Sequence, residues 1–164
     1  GLITDTGRFQ YSNTDNEVFE IASKLMLSGA ELTSISDNIY GSIPMNAIKL
    51  QSEVLNRIEL YEEEEFVVSY VLQEDYLNYN IESSETDFLI DSIRLVKESS
   101  VALLLKEQKD KSFKGSLRSR NELDVQQIAS IFGGGGHKAA SGFSTNLSIE
   151  EIKNKVKNAI KSQV

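Results

Sequence analysis

A chain of 164 residues, 40% of them hydrophobic, is long enough for one ordinary domain or two small ones and too apolar to stay disordered. Its formal charge of −8 works against the many Lys/Arg–phosphate contacts of a duplex-binding protein, and no apolar run approaches the ~18 residues that span a bilayer. It has no cysteine, which excludes disulfides and thiolate metal sites, and the expected location is the cytoplasm.

The opening "GLITDTGRFQ" runs from Leu2 and Ile3 into Asp5, which reads as the end of a buried strand inside a longer chain. Val18, Ile21, Ala22 and Leu25 then recur at helical spacing up to Gly29, and Leu32, Ile35 and Ile39 repeat the pattern up to Gly41. Pro44, favoured in a first helical turn, opens a third helix expected to run to about Leu60. The acidic run Glu62–Glu65 reads as a solvated turn.

From Phe66 the texture changes. "FVVSYVL" is a strand by its β-branched and aromatic content, while Tyr76–Tyr79 and Asp87–Val96 read as helices. "SSVALLLKE" and "SFKGSLRSR" are two further strands joined by the polar turn "QKDK". Asp124 and Gln127 stand at capping-box spacing ahead of the apolar face Val125, Ile128, Ala129 and Phe132, with Gly133 as the closing glycine. "ASGFST" reads as a short strand. Ser148 and Glu151 cap a final helix, stapled by Leu147 and Ile152, whose buried face is Ile149, Ile152, Val156 and Ile160. The expected fold class is α/β: a helical N-terminal part followed by a mixed α/β unit.

Three stretches can carry chemistry. Lys106–Arg120 holds six basic and two acidic residues, a local +4 against −12 for the remainder, which suits a small anionic ligand better than a long polymer. At its end Ser116, Arg118 and Arg120 alternate onto one strand face, where a guanidinium can grip phosphate through two parallel hydrogen bonds. "GGGGHKAASG" sets four glycines beside the only histidine. It is not a P-loop, because Lys138 stands where the second glycine belongs, nor a dinucleotide fingerprint, because a helix rather than a strand precedes it. Successive glycine N–H groups can instead form an anion-binding nest, with His137 adding a donor, a charge or a metal ligand. A glycine cap followed by a plain hinge is the competing structural reading. Asp5, finally, is a candidate hard-metal ligand, though one carboxylate does not build a two-metal site.

Taken together and in this order, "GLITDTGRFQYSNT", "KGSLRSR" and "DVQQIASIFGGGGHKAASGF" resemble the later part of a DHH-family phosphoesterase. The first resembles the last metal-ligand motif of the DHH domain, and the other two resemble the DHH-associated domain. Within that superfamily the spacing is similar to the NrnA-like nanoRNase and pAp phosphatase branch. The resemblance implies a remnant of the DHH domain over 1–43, a linker helix over 44–62 and a DHH-associated substrate-binding domain over 63–164. It also implies two manganese ions that activate water for attack on short oligoribonucleotides or pAp (3′-phosphoadenosine 5′-phosphate), with Asp5 as one metal ligand. Arg118, Gly134, Gly135, Gly136 and His137 would contact the substrate, with Ser116 a weaker candidate. The Asp-His-His motif and the earlier acidic motifs are absent, so this chain alone is expected to be inactive. A cyclic di-AMP or pApA phosphodiesterase of the same family stays open, as do a noncatalytic nucleotide-binding module and an interaction domain with an incidental hinge. The expected partners are short RNA or a small nucleotide, with no duplex and no membrane; a homodimer is left open.

Overall fold

Asp15 starts the first long helix: its carboxylate accepts from the Val18 N–H at 3.0 Å, answering one of the unpaired donors of a helix N-terminus. The computed structural model describes residues 1–11, 13–120 and 122–163, and these form two compact units that divide between Ile43 and Pro44. The first unit comprises α1 (Leu2–Asp5), α2 (Asn16–Leu27) and α3 (Leu32–Tyr40). The expected strand end at Leu2–Asp5 is instead a single helical turn, with Thr4 N–H and Asp5 N–H both donating to the Gly1 carbonyl at 3.0 Å. Two apolar residues are too few to establish the alternation of a strand. Phe9 stacks on Phe19 at 5.4 Å, and the Arg8 guanidinium lies 3.8 Å from the centre of the Tyr40 ring. None of the three helices buries a side chain fully. Phe19, Leu25, Leu32 and Ile35 line an apolar groove within the unit.

The second unit is built on a six-stranded mixed sheet. Its strands are β1 (Glu59–Tyr61), β2 (Phe66–Val71), β3 (Val101–Glu107), β4 (Phe113–Ser119), β5 (Gly135–His137) and β6 (Ala140–Thr145), in spatial order β1-β2-β3-β4-β6-β5. Only β2 and β3 run parallel, and the crossover between them carries α5 (Gln73–Tyr79) and α6 (Leu89–Ile93). With α4 (Met45–Asn56) these helices cover one face of β2 and β3. Ala47, Leu50 and Val54 meet Val67, Val71, Ala102 and Leu104 there. The opposite face is closed by α7 (Val125–Ser130) and α8 (Ile149–Lys161), packed on Phe66, Val68, Leu103, Leu105, Leu117 and Phe143. This is why "FVVSYV" and "VALLL" read as continuous apolar runs: each strand is buried on both sides.

Several boundaries differ from the sequence expectation. Pro44 takes the N-cap of α4 rather than its first turn, and α4 stops at Asn56, not near Leu60. Residues 59–61 instead pair with β2 in the register Glu59↔Val68 and Tyr61↔Phe66. The acidic run forms one 3₁₀ turn ending at Glu65, whose φ of 46° reverses the chain. The expected helix Asp87–Val96 is α only over Leu89–Ile93, after a separate 3₁₀ turn at Ser83–Thr86. At α7 half of the capping box forms. Asp124 accepts from the Gln126 and Gln127 N–H groups, but its own N–H is satisfied by Gln163 at 2.8 Å. At α8 the box closes in full between Ser148 and Glu151. Among the described residues no helix is long and apolar enough to cross a membrane.

Candidate functional site

The helices on the α4–α6 side cover β2 and β3, and α6 also approaches β4, so the open part of that face lies toward the outer rows of β4 and over β6 and β5. Alternation along β4 sends Phe113, Gly115 and Leu117 into the α7/α8 core and turns Lys114, Ser116 and Arg118 the other way. Along β6, Phe143 enters that core while Ala140, Gly142 and Ser144 face outward with them. The register then brings the sequence candidates together. Arg118 pairs with Ala140, and Ala140 pairs with His137; Ser116 pairs with Gly142, and Gly142 pairs with Gly135. Directly opposite residues of adjacent strands share a face, with side chains close enough to interact. Arg118, Ser116 and His137 therefore stand around a floor made of Ala140, Gly142 and Gly135.

That floor is open. A Cβ placed on Gly135 would meet nothing within 4 Å, and one on Gly142 would meet only the Gly115 carbonyl at 3.4 Å. Arg118 is half-buried, with one guanidinium nitrogen donating to the Leu117 carbonyl at 2.9 Å and no ion pair to a described carboxylate. His137 is exposed, and its carbonyl accepts from the Ser141 hydroxyl at 2.8 Å. The charge of Lys106–Arg120 is not one patch. Lys106 is buried on Asp87 and Lys111 is paired with Glu107, so among the strand cations Lys114 and Arg118 are the ones on the open face.

The four glycines have separate duties. Gly133, at φ 75°, turns the chain off α7, and the N–H groups of Gly133 and Gly134 donate to the Ser130 and Ala129 carbonyls at 3.0 and 2.9 Å. These two donors are taken by the helix end and are not turned toward a ligand, so the nest does not extend over all four residues. Gly134 is required by close approach, because a Cβ there would lie 2.2 Å from the Gly142 carbonyl. Gly135 and Gly136 continue as β5, and Gly136 packs on Ala140 and Ser141. The chain's own strand β6, rather than a ligand, accounts for glycine at 134 and 136. Gly135, like Gly133 at the helix end, fronts open space.

Asp5 lies in the other unit, exposed at the end of α1, with its backbone carbonyl accepting from the Asn13 amide at 3.0 Å. Among the described residues no three His, Cys, Asp or Glu side chains converge on one point. One carboxylate does not fit a two-ion site by itself, so the described residues do not make up a donor set for manganese. Sequence reasoning missed Ala140 and Gly142 as the floor. Their signal was the alternation of small residues in "ASGFST", which marks a strand whose outward positions have been kept low.

The region carrying this face, residues 63–162, matches the DHHA1 domain. The chain belongs to the DHHA1 domain family. It is 30% identical over 165 residues to the bifunctional oligoribonuclease and PAP phosphatase NrnA of Thermus thermophilus, covering 100% of this chain and 49% of that protein. It is 28% identical to the probable bifunctional oligoribonuclease and PAP phosphatase NrnA of Streptococcus mutans, covering 98% of this chain and 52% of that one. A solved exopolyphosphatase-related protein from Bacteroides fragilis shares the fold, with a TM-score of 0.90 at 24% identity over 99% of this chain and 48% of its own. The DHHA1 chain thus spans about half the length of the relatives it matches, and its likeness is to the DHH-associated portion of NrnA-like proteins.

Proposed function

We propose that this DHHA1 chain is the nucleotide-binding portion of a manganese-dependent phosphoesterase acting on short oligoribonucleotides, pAp or both. The observation that carries the reading is the row Arg118–Ala140–His137, set beside Ser116 and the open glycine floor. A guanidinium and an imidazole facing each other over a strip without tall side chains leave room for a phosphate to reach backbone and side-chain donors together. The names of the Thermus and Streptococcus relatives point the same way.

In this reading Arg118 clamps a phosphate, His137 donates from the far side across Ala140, and Gly135 leaves the neighbouring row beside Gly142 clear. Asp5 supplies one carboxylate toward the ions, whose remaining ligands come from outside the chain. Bound manganese would activate water for attack at phosphorus; the chain's own part is to hold and orient the nucleotide. A homodimer and a cytoplasmic setting belong to the same proposal.

A noncatalytic nucleotide-binding module is the second reading. Its support is that the second unit packs helices on both faces of its own sheet. Both readings require nucleotide binding at 133–137. Titration of pAp into the chain, followed by NMR at the amides of residues 133–137, tests that requirement. Shifts that vanish in His137→Ala support it, and no shift in the parent chain overturns it. Manganese-dependent hydrolysis by the purified chain would overturn the view that catalysis needs more than these residues.

A further inference from the structure

The open face does not end at Ser116. Two residues further along β4 stands Lys114, exposed and paired across the sheet with the exposed Ser144 of β6. Side chains repeat every second residue, so Lys114 and Ser144 rise from the same face as Ser116, Arg118 and His137. Lys114 has no carboxylate partner among the described residues, whereas Lys106, directly opposite it on β3, is buried against Asp87 at 2.7 Å. β6 stays low along its whole outward side, through Ala140, Gly142 and Ser144, so nothing on that strand blocks a ligand running from Arg118 toward Lys114. β5 flanks only the rows of His137 and Gly135, which leaves the trough open sideways at Ser144.

We propose that Lys114 and Ser144 form a second phosphate subsite, which fits the face to a linear oligonucleotide carrying several phosphates. The proposal rests on the reading that the Arg118–His137 end binds a nucleotide phosphate. Four residues of extended strand place Lys114 about 13 Å from Arg118. A single nucleotide held by Arg118 and His137 engages one end of that line, and a polyanion laid along β6 engages both. Lysine suits the outer end, since it is a flexible point charge with three donors that follows a phosphate without fixing its orientation. The Ser144 hydroxyl adds a donor beside it.

The test is calorimetric titration of pAp and of the 5′-phosphorylated tetranucleotide pApApApA into the chain, in EDTA and over a range of KCl. The parent is compared with Lys114→Gln, Lys114→Arg and Arg118→Ala. Loss of one charge-assisted contact should lower the tetranucleotide affinity of Lys114→Gln about tenfold. The tetranucleotide-to-pAp affinity ratio should fall with it, and the salt slope should drop by about 0.7. Lys114→Arg should keep most of the affinity. Equal weakening of both ligands by Lys114→Gln, or of neither, overturns the subsite. If both ligands bind the parent and lose affinity in Arg118→Ala while ignoring Lys114, the subsite falls alone. If neither ligand binds the parent, the nucleotide-binding reading falls with it.

Discussion

Arg57 and Asp75 meet through two parallel hydrogen bonds of 2.5 and 2.9 Å, tying the end of α4 to the first turn of α5. Asp75 Oδ2, the oxygen of the 2.5 Å bond, also accepts from the Leu72 N–H at 2.7 Å, so one nearly buried carboxylate holds three donors. Burial alone would push this carboxyl up, but the Arg57 guanidinium and the Leu72 N–H together hold it below the usual aspartate range. A depressed carboxylate stabilises the fold fully above the unfolded value of about 3.9, and that contribution is lost as the pH falls through the folded value. Asp75→Asn should therefore cost on the order of 2–3 kcal/mol at pH 7. It should also flatten the acid limb of the stability curve. Urea unfolding between pH 7 and pH 2.5 checks both, and an unchanged acid limb would count against this pair.

The neighbouring glycines 134 and 135 should respond in opposite ways. Gly134→Ala drives a methyl to 2.2 Å from the Gly142 carbonyl and 2.6 Å from the Phe143 Cβ, and backbone cannot move aside cheaply. It should destabilise by about 1–3 kcal/mol. Gly135→Ala has free space and should leave stability within about 1 kcal/mol. Its methyl would nevertheless stand on the floor beside Gly142, in the row next to Arg118 and His137, so pAp binding should weaken. Thermal melts paired with pAp titrations separate the two effects.

Arg118→Lys keeps the charge but loses the planar fork that grips two phosphate oxygens at once. On the proposed function its pAp affinity should fall about tenfold, with little change in melting temperature because the side chain is only half-buried. Retention of parental affinity would show that Arg118 acts as a charge and not as a clamp.

Lys153 offers a contrast in which burial, not ligand binding, sets the outcome. It is 3% exposed on α8, and its ammonium bonds both Glu59 oxygens at 2.8 Å and Glu150 at 2.6 Å. Burial pushes its pKa down, yet the two carboxylates overcome this and raise it. Both carboxylates are substantially solvated, so removing the lysine charge strands no buried anion. Lys153→Met, which keeps the stem volume, should cost less than about 1.5 kcal/mol, while Lys153→Ala should cost about 2–4 kcal/mol through the cavity it opens. Denaturant titration of the two variants checks the order.

Those elements that carry their own local signals were legible in advance. α8 announces itself through Ser148 and Glu151, and the β3–β4 hairpin through "VALLLKE", "QKDK" and "SFKGSLRSR". β1 was not, because "ELY" is three residues long and half-buried, with no alternation to read, and its reason for being a strand lies in Phe66–Val68 across the turn. The strand β5 escaped for a different reason: glycine has no side chain, so "GGH" shows no period at all. Arg118, Ser116, Gly135 and His137 were all named from the sequence, but their shared face was not. That face depends on β6 folding between β4 and β5, a pairing that spacing along the chain does not encode. Gly134 and Gly136 drew the right attention for a partly different cause, since their neighbour is the protein's own backbone.

The strand β3 belongs to both hydrophobic cores at once, with Leu103 and Leu105 in one and Ala102 and Leu104 in the other, and it is flanked by β2 and β4. Neither face of the sheet can loosen around it without exposing the other. Its amide protons should therefore reach solvent only when the whole second unit unfolds, and they should exchange together, more slowly than any others. The three-residue β5, with a single neighbour at the sheet's edge, should exchange first among the strands. The same sheet thus runs from its slowest-breathing strand to its fastest within three steps, and the face proposed to meet substrate lies at the fast end.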